Sequence, residues 1–314
     1  MTKIALILPA YNEEQTIAAT MESFVDVLPD ASIWVVNNRS SDATEARARD
    51  AFKRLGCAGG VINEWRPGKG NAVRRAFLEV DADIYLMADA DQTYPADQVH
   101  ELIAPVLAGA ADMCVGDRLS QGHYAAQNKR PLHEFGNALV RRLVNALFGA
   151  RLTDIMSGYR AFSRRFVKSY PVLAEGFDIE ADMTLHALDK RFRIVEVPVT
   201  YRDRPAGSFS KLNTVRDGFR VLATIGNILR FYRPLLFFGG MGLVSISLGL
   251  LAAVPVLDDW LTKRYIDHVP LAILATGLEV VGIVFLAIGL ILDSINHQDR
   301  RRFELDVLRG PADA

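Results

Sequence analysis

The first 115 residues alternate short apolar runs with segments whose apolar residues recur every three or four positions. The apolar runs predict β-strands at residues 4–8, 33–36, 61–62, 84–88 and 112–115. The segments between them, such as 17–28 and 71–80, have the spacing of amphipathic helices. This alternation favours an α/β domain with a largely parallel, Rossmann-like sheet and helices on both of its faces.

Two long apolar runs follow this domain. Residues 235–257 contain no charged side chain, and residues 269–292 contain only Glu279. At ~1.5 Å rise per residue, either run is long enough to cross a hydrocarbon core of ~30 Å. We therefore predict a transmembrane hairpin, with a pair of buried core helices as the alternative. The N-terminal apolar run, 4–8, is too short for a secretory signal.

Basic residues predict how the hairpin is oriented. Four arginines precede the first apolar run, at 216, 220, 230 and 233, and three follow the second, at 300–302. The connection between the runs holds only Lys263 and Arg264, beside three aspartates. The positive-inside rule then places both ends in the cytoplasm. We expect a multi-pass protein of the inner (cytoplasmic) membrane whose folded domain is cytoplasmic.

The pattern divides the chain into four parts: an α/β domain at 1–213, a helix at 214–233, the hairpin at 234–292 and a cytoplasmic tail at 293–314. The helix at 214–233 has apolar residues on one side and arginines elsewhere, which indicates an amphipathic helix in the membrane interface. An ordinary helix packed on the domain has the same pattern.

Composition narrows the class of protein. The 314 residues are 50% hydrophobic and 23% charged, with a net charge of −1, which argues against a disordered chain and against a nucleic-acid binder. The two cysteines, Cys57 and Cys114, have no metal-ligand spacing and suit a reducing compartment.

Polar, turn-rich segments follow four of the predicted strands, at 9–14, 37–44, 66–71 and 89–94. Ligands of such sheets bind beyond the carboxyl ends of the strands. Asp89 and Asp91 are two residues apart, so in extended geometry both carboxylates face the same way and can share one ion. Their oxygen ligands suit Mg²⁺ or Mn²⁺.

The sequence RPGKGN at 66–71 places Lys69 between two glycines at the predicted start of a helix, where backbone N–H groups favour anions. It is not a Walker loop, because Gly70 stands where that motif needs Ser or Thr. An ordinary surface turn is the alternative. No Gly-x-Gly-x-x-Gly follows the first strand, which disfavours a dinucleotide oxidoreductase.

Several motifs occur in a familiar order: PAYNEE at 9–14, SSDAT at 40–44, GKG at 68–70 and DAD at 89–91. Together they resemble glycosyltransferase family 2, which has the GT-A fold. A second set is DIMSGYRAF at 154–162, GFDIE at 176–180 and VPV at 197–199, followed by Tyr201, Arg204, Gly207, Ser208, Ser210 and Lys211. This set resembles the polyprenyl-phosphate glycosyltransferases, including the dolichyl-phosphate mannose synthase type. The resemblance covers about residues 3–230, and the two apolar runs agree with the bacterial membrane-anchored branch.

The resemblance implies a metal-dependent, inverting transfer of sugar from a nucleoside diphosphate sugar to a polyprenyl phosphate. It implies a metal, Mg²⁺ or Mn²⁺, at Asp89 and Asp91. The residues that it implies for donor binding are Pro9, Tyr11, Glu13, Asn37, Asp42, Lys69, Asp89 and Ala90. Those that it implies for catalysis are Asp91, Arg204, Lys211 and Glu180. Asn37 stands where the family usually has Asp; an amide oxygen can accept the ring N–H of uracil, which favours a UDP-sugar.

A lipid monophosphate is mostly ionised near neutral pH, since its second pKa is about 6. It can attack without a strong general base, so the site mainly needs groups that hold the phosphate in line. The candidates are Arg118, Arg130, Arg204, Ser208, Ser210 and Lys211. Glu180 could orient an arginine, serve as a base for a neutral acceptor, or be structural.

Other functions stay open. The acceptor could be a glycan or another lipid. The Gln127 and Arg130 spacing resembles a processive synthase motif, but Pro131 replaces its tryptophan. A non-catalytic membrane partner is a further alternative.

In the hairpin, Ser245, Gly249 and Ala253 form a small-residue stripe that allows close helix packing, within one chain or in a homo-oligomer. Glu279 is either functional or a protonated carboxyl bonded across a helix interface.

Overall fold

A computed structural model describes residues 2–120, 131–174, 179–202 and 214–309, with backbone alone for 131–135 and 214–222. The chain divides into two compact units, Met1–Thr214 and Val215–Ala314. The division falls close to the predicted boundary between the α/β domain and the helix at 214–233.

The first unit contains a seven-stranded sheet with the strand order β3-β2-β1-β4-β6-β5-β7. Its strands are β1 (Ile4–Ala10), β2 (Ser32–Asn37), β3 (Gly59–Asn63), β4 (Ile84–Met87), β5 (Met113–Asp117), β6 (Arg160–Ser163) and β7 (Ile194–Pro198). Strand β6 runs antiparallel to β4 and β5, and the other pairs are parallel. The predicted α/β class is therefore confirmed, with one antiparallel strand that the sequence pattern did not indicate.

Helices connect the strands. In chain order they are α1 (Ile17–Val27), α2 (Thr44–Leu55), α3 (Lys69–Glu79), α4 (Val99–Leu107), α5 (Pro131–Phe148), α6 (Arg164–Ser169) and α7 (Ile179–Asp189). The central strand β1 is an unbroken apolar run because both of its faces are covered, and Leu6, Ile7 and Leu8 are fully buried. Helix α1 packs on the core through Ile17 and Phe24, which lie on its buried face.

All five predicted strands differ from the structure at one end or both, and the difference at β4 changes the site. Strand β4 ends at Met87, and Ala90 and Asp91 lie in a turn. The extended geometry that we expected for Asp89 and Asp91 is therefore wrong. Strand β3 begins at Gly59, with φ +120°, where a Cβ would collide with the carbonyl oxygen of Ile33. The absence of a side chain there concealed the start of the strand from the hydrophobic pattern.

The second unit consists of three helices in its described part, α8 (Thr214–Tyr232), α9 (Pro234–Lys263) and α10 (Val269–Arg309). Helices α9 and α10 are long and apolar enough to cross a membrane, by length and composition. Helix α10 continues through most of the predicted tail without a break. Just beyond the apolar part of α10, the side-chain amide of Asn296 donates to the carbonyl oxygen of Phe231, 2.6 Å away, which links α10 to α8.

Small residues line the contact between α9 and α10. Ser245 donates a hydrogen bond of 2.7 Å to the carbonyl oxygen of Leu278. Gly249 receives the carboxyl group of Glu279, because a Cβ there would lie 2.9 Å from Glu279 Oε1. That oxygen is buried and has no hydrogen-bond partner among the described residues. The predicted small-residue stripe therefore serves helix packing within one chain at Ser245 and Gly249.

We expect Gly282→Ala to destabilise the hairpin. A Cβ at Gly282 would lie 2.5 Å from Ile246 Cγ1 and 3.0 Å from the carbonyl oxygen of Gly242, so the helix backbones must separate. The expected loss is about 1–3 kcal/mol. Gly277→Ala is the matched control, since nothing lies within 4 Å of its Cβ position. Thermal unfolding of the full chain in detergent measures both, and equal melting temperatures would contradict the prediction.

Candidate active site

Hydrogen bonds join the loops that follow β1 and β2. The backbone N–H of Asn12 donates to Ser40 Oγ at 3.0 Å, and Asn12 Oδ1 accepts from the N–H of Ser41 at 2.8 Å. The N–H of Glu13 donates to Thr44 Oγ1 at 2.8 Å. Two of the predicted polar segments thus form one connected surface at the carboxyl ends of the strands.

The predicted donor-binding residues of these loops differ in exposure. Pro9 lies inside β1, because that strand continues to Ala10. Tyr11 directly follows the strand and is 45% exposed. Asp42 shapes its own loop: its carboxylate accepts from the N–H of Thr44 at 3.0 Å and from that of Glu14 at 3.2 Å.

Asn37 is the last residue of β2, and its amide is already bonded within the protein. Its Nδ2 donates to Asn63 Oδ1 at 2.9 Å and to Glu45 Oε2 at 3.3 Å. Its Oδ1 accepts from the N–H of Ser40 at 3.2 Å. A nucleobase N–H would therefore share this oxygen with the backbone, and the role of Asn37 in base selection stays a prediction.

Asn38 is a residue of the site that the sequence analysis missed. Its Nδ2 donates to the carbonyl oxygen of Arg66 at 2.6 Å, and its Oδ1 accepts from the N–H of Gly68 at 2.8 Å. The two ends of the Asn38 amide, Nδ2 and Oδ1, therefore both bind the loop that leads into α3. The only sequence signal was its place in the polar segment after β2.

Glu64 and Arg66 give the same loop a second brace. Arg66 donates to the Glu64 carboxylate from its backbone N–H at 2.7 Å and from Nη2 at 2.8 Å. These hydrogen bonds lower the pKa of Glu64 to about 2, so its carboxylate is charged at neutral pH.

Lys69, Asp89 and Glu180 form the most closely associated charge cluster of the predicted residues. Lys69 is the first residue of α3 and follows Gly68, whose φ of +117° is a backbone angle that favours glycine. Its Nζ lies 2.5 Å from Asp89 Oδ1 and 2.5 Å from Glu180 Oε1. The Lys69 and Glu180 side chains are 8% and 6% exposed, whereas Asp89 is 29% exposed. We call these three residues the lysine–carboxylate cluster.

The electrostatics of this cluster favour the charged form of Lys69 despite its burial. Burial by itself would lower the pKa of Lys69, but the two carboxylates outweigh it and hold that pKa above its ordinary value. Gly158 covers the cluster closely, because a Cβ there would lie 3.0 Å from both Lys69 Nζ and Asp89 Oδ2. A larger residue at position 158 would occupy space at the carboxylate itself.

Asp91 is more deeply buried than Asp89, at 2% exposure. Its Oδ1 accepts from Thr93 Oγ1 at 2.6 Å and from the N–H of Thr93 at 3.2 Å. The pKa of the Tyr201 phenol is raised mainly by burial and, secondly, by the negative charge of Asp91. The Tyr201 hydroxyl therefore lies close enough to Asp91 to sense its charge. The carbonyl oxygen of Ala90 accepts from Thr20 Oγ1 at 3.1 Å, so α1 holds the turn between the two aspartates.

Arg118, predicted to bind the acceptor phosphate, makes a two-pronged ion pair with Asp154. Its Nε and Nη2 lie 2.7 Å and 3.0 Å from the two Asp154 oxygens. Its Nη1 donates to the Tyr94 hydroxyl at 3.4 Å, and the same hydroxyl accepts from the N–H of Gly158 at 2.9 Å. Two of its nitrogens therefore serve this internal ion pair. The other predicted phosphate ligands, Arg130, Arg204, Ser208, Ser210 and Lys211, lie outside the described residues.

Arg160 is fully buried and was also missed from the sequence. Its Nε and Nη2 donate to the carbonyl oxygens of Ser157 and Ile155, at 2.7 Å and 2.8 Å. Its Nη1 donates to Thr184 Oγ1 at 2.9 Å, and Thr184 in turn bonds the carbonyl oxygen of Glu180. Arg160 thus links the segment before β6 to the helix that carries Glu180. Position 160 lay in a motif that supported the resemblance, but nothing local indicated its role.

Asp89 and Asp91 offer carboxylate oxygens, the donor type that a hard divalent cation prefers, and their joint binding of one ion stays a prediction. Among the described residues no group of three or more His, Cys, Asp or Glu side chains could hold a metal by itself. Mg²⁺ and similar ions commonly bind through one or two carboxylates and complete their shell with phosphate oxygens and water. Asp89, which pairs with the first residue of α3, lies beside a helix start that favours anions, as that chemistry requires.

Comparisons with known proteins agree with this arrangement. The sequence model described as "Glycosyl transferase family 2" matches residues 5–170. The chain is 30% identical to glycosyltransferase AglJ of Haloferax volcanii over 96% of this chain and 97% of that one. It is 28% identical to a dolichyl-phosphate hexose transferase of the same organism, over 64% of this chain and 83% of that one.

Among solved structures, the fold is similar to Mycobacterium tuberculosis glucosyl-3-phosphoglycerate synthase. One crystal structure of that enzyme matches with a TM-score of 0.55 and 25% identity, over 71% of this chain and 80% of that one. Another, in complex with Mn²⁺ and uridine-diphosphate-glucose, matches with a TM-score of 0.53 and 24% identity, over 73% and 78%.

Proposed function

Because the chain belongs to glycosyltransferase family 2, we propose that it transfers a sugar from a nucleoside diphosphate sugar to a polyprenyl phosphate. The observation that carries this proposal is the buried lysine–carboxylate cluster at the sheet edge, in a chain that also has two helices of membrane-spanning length. One ammonium and two carboxylates leave this cluster with a net negative charge, so it suits a diphosphate donor that binds together with a divalent cation. The two helices suit an acceptor that resides in a lipid bilayer.

The acceptor class is supported by a relative. The dolichyl-phosphate hexose transferase of Haloferax volcanii carries a lipid phosphate in its name and matches 64% of this chain. Glucosyl-3-phosphoglycerate synthase shares the fold but has a soluble phosphorylated acceptor in its name. Both names share one chemical feature, a phosphorylated partner, and the apolar helices favour the lipid form here.

In this mechanism the protein's own residues bind and position two anions. Backbone N–H groups at the start of α3, next to the paired Lys69, would face the donor diphosphate. Asp89 and Asp91 would hold Mg²⁺ or Mn²⁺, and such an ion would neutralise charge on the departing diphosphate. Pro9, Tyr11, Glu13, Asn37 and Asp42 line the end of the sheet where the nucleoside would lie. An in-line displacement at the anomeric carbon inverts its configuration.

Glu180 has a positioning role in this proposal. Its carboxylate is buried against Lys69 at 2.5 Å, so it holds the lysine rather than serving as a base. A phosphate acceptor needs no base, because it is already ionised near neutral pH. Arg204 and Lys211, with Arg130, Ser208 and Ser210, are proposed to hold that phosphate in line. Arg118 is proposed to contribute through Nη1 while Asp154 fixes the rest of its guanidinium.

We propose UDP-sugar as the donor. Asn37 offers an amide oxygen, which suits the single ring N–H of uracil better than the donor pair of guanine. The M. tuberculosis neighbour, which shares the fold, was crystallised with uridine-diphosphate-glucose and Mn²⁺. The membrane arrangement is proposed as well: a cytoplasmic domain at 1–213, an interfacial helix at 214–233, a hairpin at 234–292 and a cytoplasmic tail at 293–314.

The test incubates membranes containing the full chain with a panel of radiolabelled UDP- and GDP-sugars, polyprenyl phosphate and Mn²⁺. We expect one donor, a UDP-sugar, to give label that extracts into organic solvent and is released by mild acid, as an anomeric phosphodiester should be. EDTA should abolish the transfer. Polyprenol without its phosphate is the matched control acceptor and should give no product.

Two outcomes would contradict the proposal. Label that appears only in water-soluble glycan, or in diacylglycerol-type lipid, would place the acceptor in another class. If folded protein, checked by its cooperative unfolding, neither transfers sugar nor hydrolyses any of the donors, the chain would instead be a non-catalytic membrane partner.

A further inference from the structure

Lys69 occupies the place of a cation between two buried carboxylates. Its Nζ lies 2.5 Å from one oxygen of Asp89 and 2.5 Å from one of Glu180. Those two carboxylate oxygens are therefore at most about 5 Å apart. Without the lysine, this pocket would carry two negative charges, little solvent and the oxygen ligands that a hard divalent ion prefers.

A fixed positive charge so close to Asp89 opposes the approach of a second cation. The repulsion is strong because Lys69 and Glu180 are nearly buried, and a low local dielectric strengthens interactions between charges. Asp89 is the only one of the three with appreciable exposure, at 29%, so an ion from solvent would meet its carboxylate first. Lys69 and such an ion compete for the same carboxylate.

We propose that Lys69 is a resident counter-ion that keeps a divalent metal off Asp89 until the nucleoside diphosphate binds. The inference rests on the proposed function, because it needs the donor diphosphate and its metal. A diphosphate at the start of α3 brings the negative charge that lets Lys69 and a metal ion lie near each other. The lysine thereby makes metal affinity depend on the nucleotide, and by linkage nucleotide affinity depends equally on the metal.

A purely structural ion pair predicts something different. In that case Lys69→Met would lower the stability of the domain. It would not change the ratio of the metal affinity measured with nucleotide to the metal affinity measured without it. The readout that separates the two roles is therefore this ratio and not catalytic activity.

The experiment titrates Mn²⁺ into the purified full chain in detergent, with and without UDP, and follows free Mn²⁺ by electron paramagnetic resonance. For the wild type we expect UDP to tighten Mn²⁺ binding about 100-fold. For Lys69→Met we expect binding without UDP to tighten about tenfold, which reduces the ratio to about tenfold. Adding Asp89→Asn to Lys69→Met should remove the gain.

Two controls isolate the charge at position 69. Lys69→Arg keeps the charge and should keep most of the coupling. Lys53→Met removes an exposed lysine, 80% accessible in its side chain, and should change nothing. Lys69→Met alone leaves two carboxylates without their counter-ion and could destabilise the domain. The double variant Lys69→Met with Glu180→Gln keeps the net charge of the wild-type cluster, and we call it the charge-balanced variant. Compared with Glu180→Gln alone, it should again bind Mn²⁺ about tenfold more tightly without UDP.

The outcomes distinguish this inference from the proposed function. If the wild type binds no Mn²⁺ even with UDP, the metal role in the proposed function fails. If the wild type shows coupling but Lys69→Met and the charge-balanced variant keep the same ratio, with cooperative unfolding, the counter-ion role is overturned and the proposed function stands.

Discussion

Asp91→Ala should abolish sugar transfer, and Asp91→Asn should lower its rate by about 10³-fold. The alanine variant removes both the negative charge and the acceptor of the Thr93 hydrogen bonds. The asparagine variant keeps an oxygen for Thr93 but loses the charge that would hold a metal near the departing diphosphate. The measurement is the initial rate in membranes supplied with donor, Mn²⁺ and polyprenyl phosphate.

Asp97→Ala is the matched control for Asp91. Asp97 lies six residues further along, with its side chain 68% exposed and a surface ion pair to Arg202. Its loss should leave the transfer rate within about twofold, since such surface pairs contribute little. A near-normal rate for Asp91→Ala in the same assay would remove the metal role from Asp91.

Asp154→Ala should destabilise the first unit by about 3–5 kcal/mol. The substitution leaves the guanidinium of Arg118, only 11% exposed, without its charge partner. Burial alone would raise the pKa of Asp154, but Arg118 outweighs burial and holds that pKa below its ordinary value. The stabilisation is therefore present above about pH 4 and falls as the pH drops through the pKa of the folded state. Denaturant unfolding of the full chain in detergent measures the loss.

The control for Asp154 is a pair of the same chemistry at the surface. Asp81 pairs with Arg164, and both side chains are about half exposed or more, at 61% and 48%. Asp81→Ala should cost less than about 1 kcal/mol. The double variant Asp154→Leu with Arg118→Met should be less destabilised than Asp154→Ala, because it leaves no buried charge unpaired. Equal losses for Asp154→Ala and Asp81→Ala would contradict this account.

The sequence predicted the parts of the fold that local pattern determines. Apolar runs located the central strands β1, β2 and β4, since strands covered on both faces are continuously apolar. The polar segments after them contain one half of the candidate site, including Lys69 and Asp89, because the carboxyl ends of parallel strands share one edge. Strand β3 was underestimated where Gly59 makes room for the neighbouring strand, since a glycine has no hydrophobicity to detect.

Partners that are distant along the chain could not be predicted. Lys69 and Glu180 are 111 residues apart, and Arg118 and Asp154 are 36 apart. These pairs form because the fold brings α7, which carries Glu180, and the end of β5, which precedes Arg118, to their partners. The local periodicity of hydrophobic residues carries no information about such contacts. For the same reason, the sequence marked Arg118 as a candidate phosphate ligand but did not indicate its ion pair with Asp154.

The uninterrupted length of α10 has a mechanical consequence. Its 41 residues extend about 60 Å, roughly twice the ~30 Å of a bilayer's hydrocarbon. If the apolar stretch spans the bilayer along its normal, the remainder would extend into the aqueous phase as a stiff helix and not as a flexible tether. A label fixed near Arg309 should consequently stand tens of ångströms clear of the lipid surface, beyond the reach of quenchers dissolved in the acyl chains.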